Sequence, residues 1–488
     1  MGLGAIVVTL ATYLAILFGV AWLTSRGGNS ASFFTAGRNT PRGVAAIAMV
    51  GAAMSGVTYI SVPGTVAADG FSYLQTTLGF FVGYIIIAFV LIPLYYRTGV
   101  VSLYEYLNKR FNLTAQRTGA WLFFISKLLS ASLRAFVICA VLQGLLYERW
   151  GIPFWANALI MMTLVWLYTQ RGGVKAVVWV EMVKTILMVS SIVLCITFVI
   201  KALGLNLGEA LSTIHRSDYS QILFFDNPLD RRYFWKQFVA GIFLVVAMTG
   251  LDQDMMQTML SCRNQRDSQR SMMQSIVIQA VVITLFLSLG TLLYTFVDSR
   301  GLSVERGDDL FGFVAIECGL PAIVGVAFLL GLVASTYSSA GSALTALTTS
   351  FTIDILGYNG NTESVNKVRR YVHIAIALMM CGVIMAFGRW SSAGVITLIF
   401  TMASYTYGPL LGMFAFGLMS KRSVRGWAIP IIALASPAIS YLISANAANW
   451  FAGYAFSYEI LIVNAALSIL GLWAFSRKGG SAINEAQR

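Results

Sequence analysis

Four serines, Ser335, Ser338, Ser339 and Ser342, interrupt an apolar stretch between Gly331 and Asp354, and offsets of 0, 3, 4 and 7 place their hydroxyls on one face of a helix. In a bilayer each hydroxyl needs a partner, because hydrocarbon offers none and an unsatisfied polar group costs several kcal/mol. A hard cation ligated by oxygens satisfies them, and so does a neighbouring helix packed against small residues. Ionisable groups share the same apolar surroundings: Lys127, Arg134, Glu181 and Lys184 all fall within hydrophobic runs. A central arginine costs roughly 2.5–3.5 kcal/mol even on lenient insertion scales, so Arg134 must face the interior and find a partner. Its planar fork suits the carboxylate of a bound solute. An interior acid such as Glu181 or Asp252, or carbonyls freed in a broken helix, would serve as well. Glu181 also has two readings, as an ion ligand or as the partner of Lys184 one turn away at i,i+3.

The elements that must hold these groups follow from composition. Hydrophobic residues make up 58% of the 488 and charged residues 11%, the balance of an all-α polytopic membrane protein. Apolar runs of about 20 residues predict thirteen spans: 4–25, 43–66, 73–99, 117–147, 153–170, 175–202, 234–261, 271–298, 320–353, 368–388, 393–419, 424–445 and 453–475. Together they make residues 1–488 a single transmembrane domain. The first run has no Lys or Arg ahead of it and no small-residue cleavage site, so it reads as a retained helix. The net charge of +13 could suggest nucleic acid, but its placement does not. With the N-terminus outside, 21 of the 33 Lys and Arg fall in cytoplasmic loops or the cytoplasmic tail and nine on the opposite side, which is the positive-inside asymmetry. The expected setting is the plasma membrane, foremost a bacterial inner membrane, with a cytoplasmic C-terminus. The partners implied are the lipid bilayer and small molecules, with neither nucleic acid nor a required protein.

Five cysteines lack metal or redox spacing and read as packing residues. His215 falls in an outer loop and His373 near a helix start, so a histidine metal site or catalytic dyad has little to draw on. No HExxH or Gly-x-Ser-x-Gly is present, and no convergent acid, base and nucleophile set is visible. The chain therefore does not read as an enzyme. A passive channel or a solute sensor remains as the alternative from another class, although the stretch after Arg477 is too short for a signalling domain.

Two spans are interrupted. Gly51-Ala52-Ala53-Met54-Ser55-Gly56 and Pro63-Gly64 weaken the second, and Met248-Thr249-Gly250-Leu251-Asp252-Gln253-Asp254 weakens the seventh, five spans later. Interruptions in corresponding positions of two halves point to an inverted-repeat carrier with its site at the bilayer midplane. Small-residue crossings tolerated by neighbouring helices are the plainer alternative. Five landmarks then bring a specific resemblance: Phe33-Phe34-Thr35-Ala36-Gly37-Arg38; Ser55 with Pro63-Gly64; Gly173-Val174-Lys175-Ala176-Val177-Val178-Trp179; Gly250 to Gln257; and Ser335 to Ser342 running into Phe351-Thr352-Ile353-Asp354. In this order they resemble the sodium:solute symporter family, and Tyr407-Gly408-Pro409 agrees.

The resemblance implies a LeuT-like five-plus-five inverted repeat, with residues 43–202 and 234–419 as the halves, 4–25 as a leading peripheral helix and 424–475 as two trailing ones. It implies Na+ as the coupled ion, held by the carbonyls of Gly51 and Met54 and by Ser335, Ser338 and Ser339. Neutral oxygens without a carboxylate suit a weakly held monovalent cation. A second sodium, carried by some members on an acid of the sixth span, would use Glu181, Ser338 and Ser342. Here Glu stands where the family pattern has Asp, and Gly341 replaces an expected serine. The sialic acid carriers of the family have an arginine matching Arg134, which holds the substrate carboxylate. The corresponding pocket is Ser55, Thr58, Tyr73, Thr77 and Arg134, with Asp252, Gln253 and Tyr405 beside it. The polar positions of the sugar carriers read here as Ala53, Thr58 and Thr77, so a carboxylated solute such as sialic acid is favoured over a monosaccharide, inositol or another small anion.

Overall fold

The computed structural model describes residues 2–25, 36–358, 362–390, 395–451 and 453–477. Phe33 to Thr35 of the first landmark therefore lie outside the described residues. Each expected apolar run falls on helix: Leu3–Ser25, Arg42–Ala53 with Gly56–Asp69, Tyr73–Thr98, Leu113–Trp150, Phe154–Ala202, Phe234–Gly250 with Gln253–Leu260, Gln265–Ser299, Ala322–Ile355, Glu363–Trp390, Val395–Met419, Ala428–Trp450 and Ile460–Ala474. By length and apolarity eight described helices can cross a membrane, or ten if each of two bent pairs is one span. The fifth and sixth spans form one helical run kinked at Gly173, whose φ of 50° and ψ of −143° suit glycine. The twelfth helix begins at Ala428 and not at 424, because Ser423 and Val424 form a short antiparallel pair with Ser476 and Arg477. The thirteenth begins at Ile460, seven residues past its expected start.

Both expected interruptions are breaks. The second span bends by 61° and the seventh by 69°, each through two non-helical residues: Met54 and Ser55 in one, Leu251 and Asp252 in the other. A helix that stops leaves carbonyls without intrahelical donors. Close approach of the broken second span to its neighbours depends on small residues. A Cβ on Gly51 would overlap Thr185 and Glu181 of the sixth span, and one on Gly64 would overlap the Gly307 backbone.

The ninth span, buried along most of its length, packs on the run formed by spans five and six. Tyr168 donates to the Tyr337 carbonyl at 3.0 Å, and its ring and hydroxyl fill the place a Cβ on Gly341 would take. That contact explains the missing serine at 341: the phenol already occupies the space.

Candidate functional site

The serine face of the ninth span meets charged groups carried by spans six and seven. Ser338 lies beside Glu181, Ser342 donates to Asp254, and Ser339 donates to the Ser335 carbonyl at 2.8 Å. The Ser335 hydroxyl is buried with no hydrogen-bond partner among the described residues. These hydroxyls line the contact of the ninth span with its neighbours and lie beside ionic side chains.

The junction of spans two, six and nine holds a cation of the protein's own. Lys184 Nζ donates to the Gly51 carbonyl at 2.6 Å, to Glu181 Oε2 at 2.9 Å and to Ser339 Oγ at 2.9 Å. An ammonium has three N–H donors, so all three are used. Lys184 and Glu181 are fully buried. Two expected sodium ligands, Gly51 and Ser339, are thus bound to lysine. A sodium ion 4 Å from that ammonium would be repelled by about 4 kcal/mol at an effective dielectric of 20. The donors present do not fit a free ion alongside the charged lysine. The second expected site also differs: Glu181 pairs with Lys184, and Ser342 turns to Asp254. The reason is reach, because i,i+3 spacing puts Lys184 against Glu181 and the break in span two exposes the Gly51 carbonyl to it.

A cavity lies between the two broken spans, lined also by spans three, four, eight and eleven. Ser55, Thr58, Tyr73, Arg134 and Asp252 line it. Thr58 has a second task, accepting from the Ser55 amide at 3.3 Å to cap the restarted helix. Arg134 is partly exposed to the cavity and makes no hydrogen bond or ion pair with the described residues. Neither Glu181 nor Asp252 takes it as a partner.

Asp252 instead accepts from Lys127 at 3.1 and 3.2 Å and from the Tyr407 hydroxyl at 2.6 Å, and it caps the Asp254 amide at 2.9 Å. Lys127 also pairs with Asp254 at 2.7 Å. A small crevice bounded by Lys127, Arg134, Glu181, Asp254, Ser339 and Ser342 joins these groups to the serine face.

Three expected pocket residues lie elsewhere. Gln253 is turned by its helix away from the cavity and clamps residues 101–103, accepting from the Leu103 amide at 2.9 Å and donating to the Val101 carbonyl at 3.2 Å. The Thr77 hydroxyl is spent on the Tyr73 carbonyl at 2.9 Å, while Phe80 reaches the cavity from the same helix. Tyr405 lines a neighbouring cavity that shares Tyr73 and Phe400 with the first, and it packs on Tyr441. Two residues along a helix is about 200° of rotation, so Tyr407 and not Tyr405 faces inward. Sequence reasoning missed Lys127 and Tyr407. Lys127 lies seven residues before Arg134, on the same helical face, which was the available signal.

A pair of interrupted helices crossing beside a cavity lined by both polar and apolar side chains is the architecture of the LeuT-like class, a five-plus-five inverted repeat. Solved structures agree in fold: a sodium-coupled sialic acid symporter in a substrate-bound outward-open state superposes with a TM-score of 0.79 at 17% identity, over 97% of this chain and 99% of that one. Mhp1, a nucleobase-cation-symport-1 transporter in a closed conformation, does so with a TM-score of 0.51 at 13% identity, over 90% and 93%. The model of the sodium:solute symporter family matches residues 33–429, and the chain belongs to that family. The human sodium/iodide cotransporter is 24% identical over 435 residues, 86% of this chain and 65% of that protein. The sodium-coupled monocarboxylate transporter 1 of Xenopus laevis is 25% identical over 429 residues, 85% and 67%. The chain thus spans about two thirds of the length of these relatives, which are transporters and not enzymes.

Proposed function

We propose that the protein is a secondary active symporter that imports a small carboxylated solute together with sodium, both as substrates, by alternating access across the plasma membrane with its N-terminus outside. The observation that carries the solute class is Arg134, a guanidinium in the cavity wall with no acid closed on it. A bidentate carboxylate would satisfy it. The relatives and the structural neighbour are named for iodide, monocarboxylates and sialic acid, each an anion at neutral pH, and sialic acid remains the favoured candidate.

Charge gives the coupling a physical basis. Lys127, Arg134 and Lys184 face Glu181, Asp252 and Asp254, so the buried core is neutral before anything binds. An anionic solute would carry that core to −1, and a co-bound monovalent cation returns it to zero. Each substrate therefore lowers the cost of burying the other. With one sodium per anion the moved charge cancels. A tenfold sodium gradient is then worth about 1.4 kcal/mol, enough for roughly tenfold accumulation.

Reconstituted vesicles test the reading. Labelled sialic acid or a small monocarboxylate should accumulate against its gradient when sodium is higher outside, and a hexose should not. Equilibration without accumulation would make the protein a channel, and equal uptake of the uncharged sugar would remove the carboxylate assignment.

A further inference from the structure

At the junction of spans two, six and nine the oxygens point inward at one position, and that position is taken. The Gly51 carbonyl, which also accepts the Met54 amide at 3.1 Å where the second span breaks, the Glu181 carboxylate and the Ser339 hydroxyl converge on Lys184 Nζ at 2.6 to 2.9 Å. These are three oxygens of different chemical origin from three separate spans. Around them the Ser335 hydroxyl is buried and partnerless, and Ser338 lies beside Glu181. Backbone packing keeps the geometry in place, because a side chain on Gly51 would strike Glu181 and Thr185, and Thr185 itself donates to the Ile47 carbonyl at 3.0 Å. Such an arrangement is a cation site in every respect except that its cation is covalently attached.

We propose that the Lys184 ammonium is the resident cation of this junction, so that a free monovalent cation enters among Gly51, Glu181, Ser335, Ser338 and Ser339 only when the lysine side chain is removed. The inference deepens the symporter reading and rests on it for one consequence: the sodium that drives uptake is not held through Gly51 and Ser339. The tethered charge performs the structural task of a bound ion. It bridges the bent second span to the sixth and ninth, and it neutralises Glu181 permanently. Removing the ammonium leaves a buried carboxylate, the second lone pair of the Gly51 carbonyl and hydroxyls around a space of lysine dimensions, which is the oxygen-rich, singly negative setting a monovalent cation requires.

Full-length protein in detergent tests the idea with sodium chloride against choline chloride at constant ionic strength. Lys184→Ala should gain a saturable, sodium-specific rise in its thermal midpoint, and adding Ser339→Ala should weaken that response at least fivefold. In the otherwise native chain, Ser338→Ala with Ser339→Ala should leave the sodium concentration for half-maximal uptake within twofold. A fivefold or greater increase there would overturn the proposal while leaving sodium symport intact, and so would a folded Lys184→Ala that ignores sodium. Should Lys184→Ala fail to fold, the serine variants in the native chain decide. If no sodium gradient drives uptake, symport fails, and the thermal response of Lys184→Ala decides the resident-cation assignment by itself.

Discussion

The second and seventh spans bend by similar angles, 61° and 69°, yet the two bends meet different chemistry. At the first, the Gly51 carbonyl receives the Lys184 ammonium at 2.6 Å. At the second, the Gly250 and Leu251 carbonyls receive the neutral hydroxyls of Tyr95 at 2.9 Å and Tyr104 at 3.0 Å. The restarted helix differs too: Ser55 caps one and Asp252 caps the other. Two halves of related geometry have therefore divided the electrostatic work. The first bend gathers oxygens around a cation. The second presents carboxylates to Lys127 and leaves the cavity wall between them to Arg134. A repeat supplies the broken helices, and the side chains facing each break decide which sign of charge it holds.

The first bend should be the more fragile. Lys184→Met leaves Glu181 buried without its partner, a change that costs about 3–5 kcal/mol, and it should lower the thermal midpoint in sodium-free detergent more than any other single change considered. Lys184→Met with Glu181→Gln removes both charges and should recover most of that loss. Equal losses in the single and double variants would show that the ion pair is not what the lysine supplies. Next comes the cavity wall. Arg134→Ala should weaken binding of a carboxylated solute by about 3 kcal/mol, roughly 150-fold, while stability without solute stays within about 0.5 kcal/mol. Calorimetric titration beside thermal unfolding separates the two. A large loss of stability with unchanged affinity would make Arg134 structural. Asp252→Asn at the second bend keeps a capping side chain and removes one charge from a lysine that retains Asp254, so its cost should be smaller, about 1–2 kcal/mol. A cost as large as that of Lys184→Met would erase the distinction between the bends.

Much of this was legible before the fold. Hydropathy located the spans, glycine and neighbouring small residues located both breaks, and 0, 3, 4, 7 spacing located the serine face. Arg134 stood out because an arginine inside an apolar run demands an explanation. The partners were harder to see. Periodicity tells which face a residue is on and not what lies opposite, so the i,i+3 pair of Glu181 and Lys184 was visible while the 133-residue leap from Lys184 to Gly51 was not. The same limit misdirected Gln253 and Tyr405. Each is adjacent or nearly adjacent to a true cavity residue, Asp252 or Tyr407, and a rotation of 100° or 200° about the helix carries it to another environment. The missing serine at 341 likewise required knowing where Tyr168 packs.

The smallest effects should come from the neutral hydroxyls at the second bend. Tyr95→Phe and Tyr104→Phe each remove one hydrogen bond to a freed carbonyl and keep the ring, so each should cost about 1 kcal/mol. The carbonyl left behind is buried, so losing its donor adds to that cost. Measured together, the pair sharpens the comparison. If two carbonyls at this bend answer independently to two phenols, the double variant should lose the sum of the single losses within about 0.5 kcal/mol. A loss well above that sum would mean that the seventh span straightens as a unit once both donors are gone. The second bend would then depend on its hydroxyls as strongly as the first depends on its ammonium.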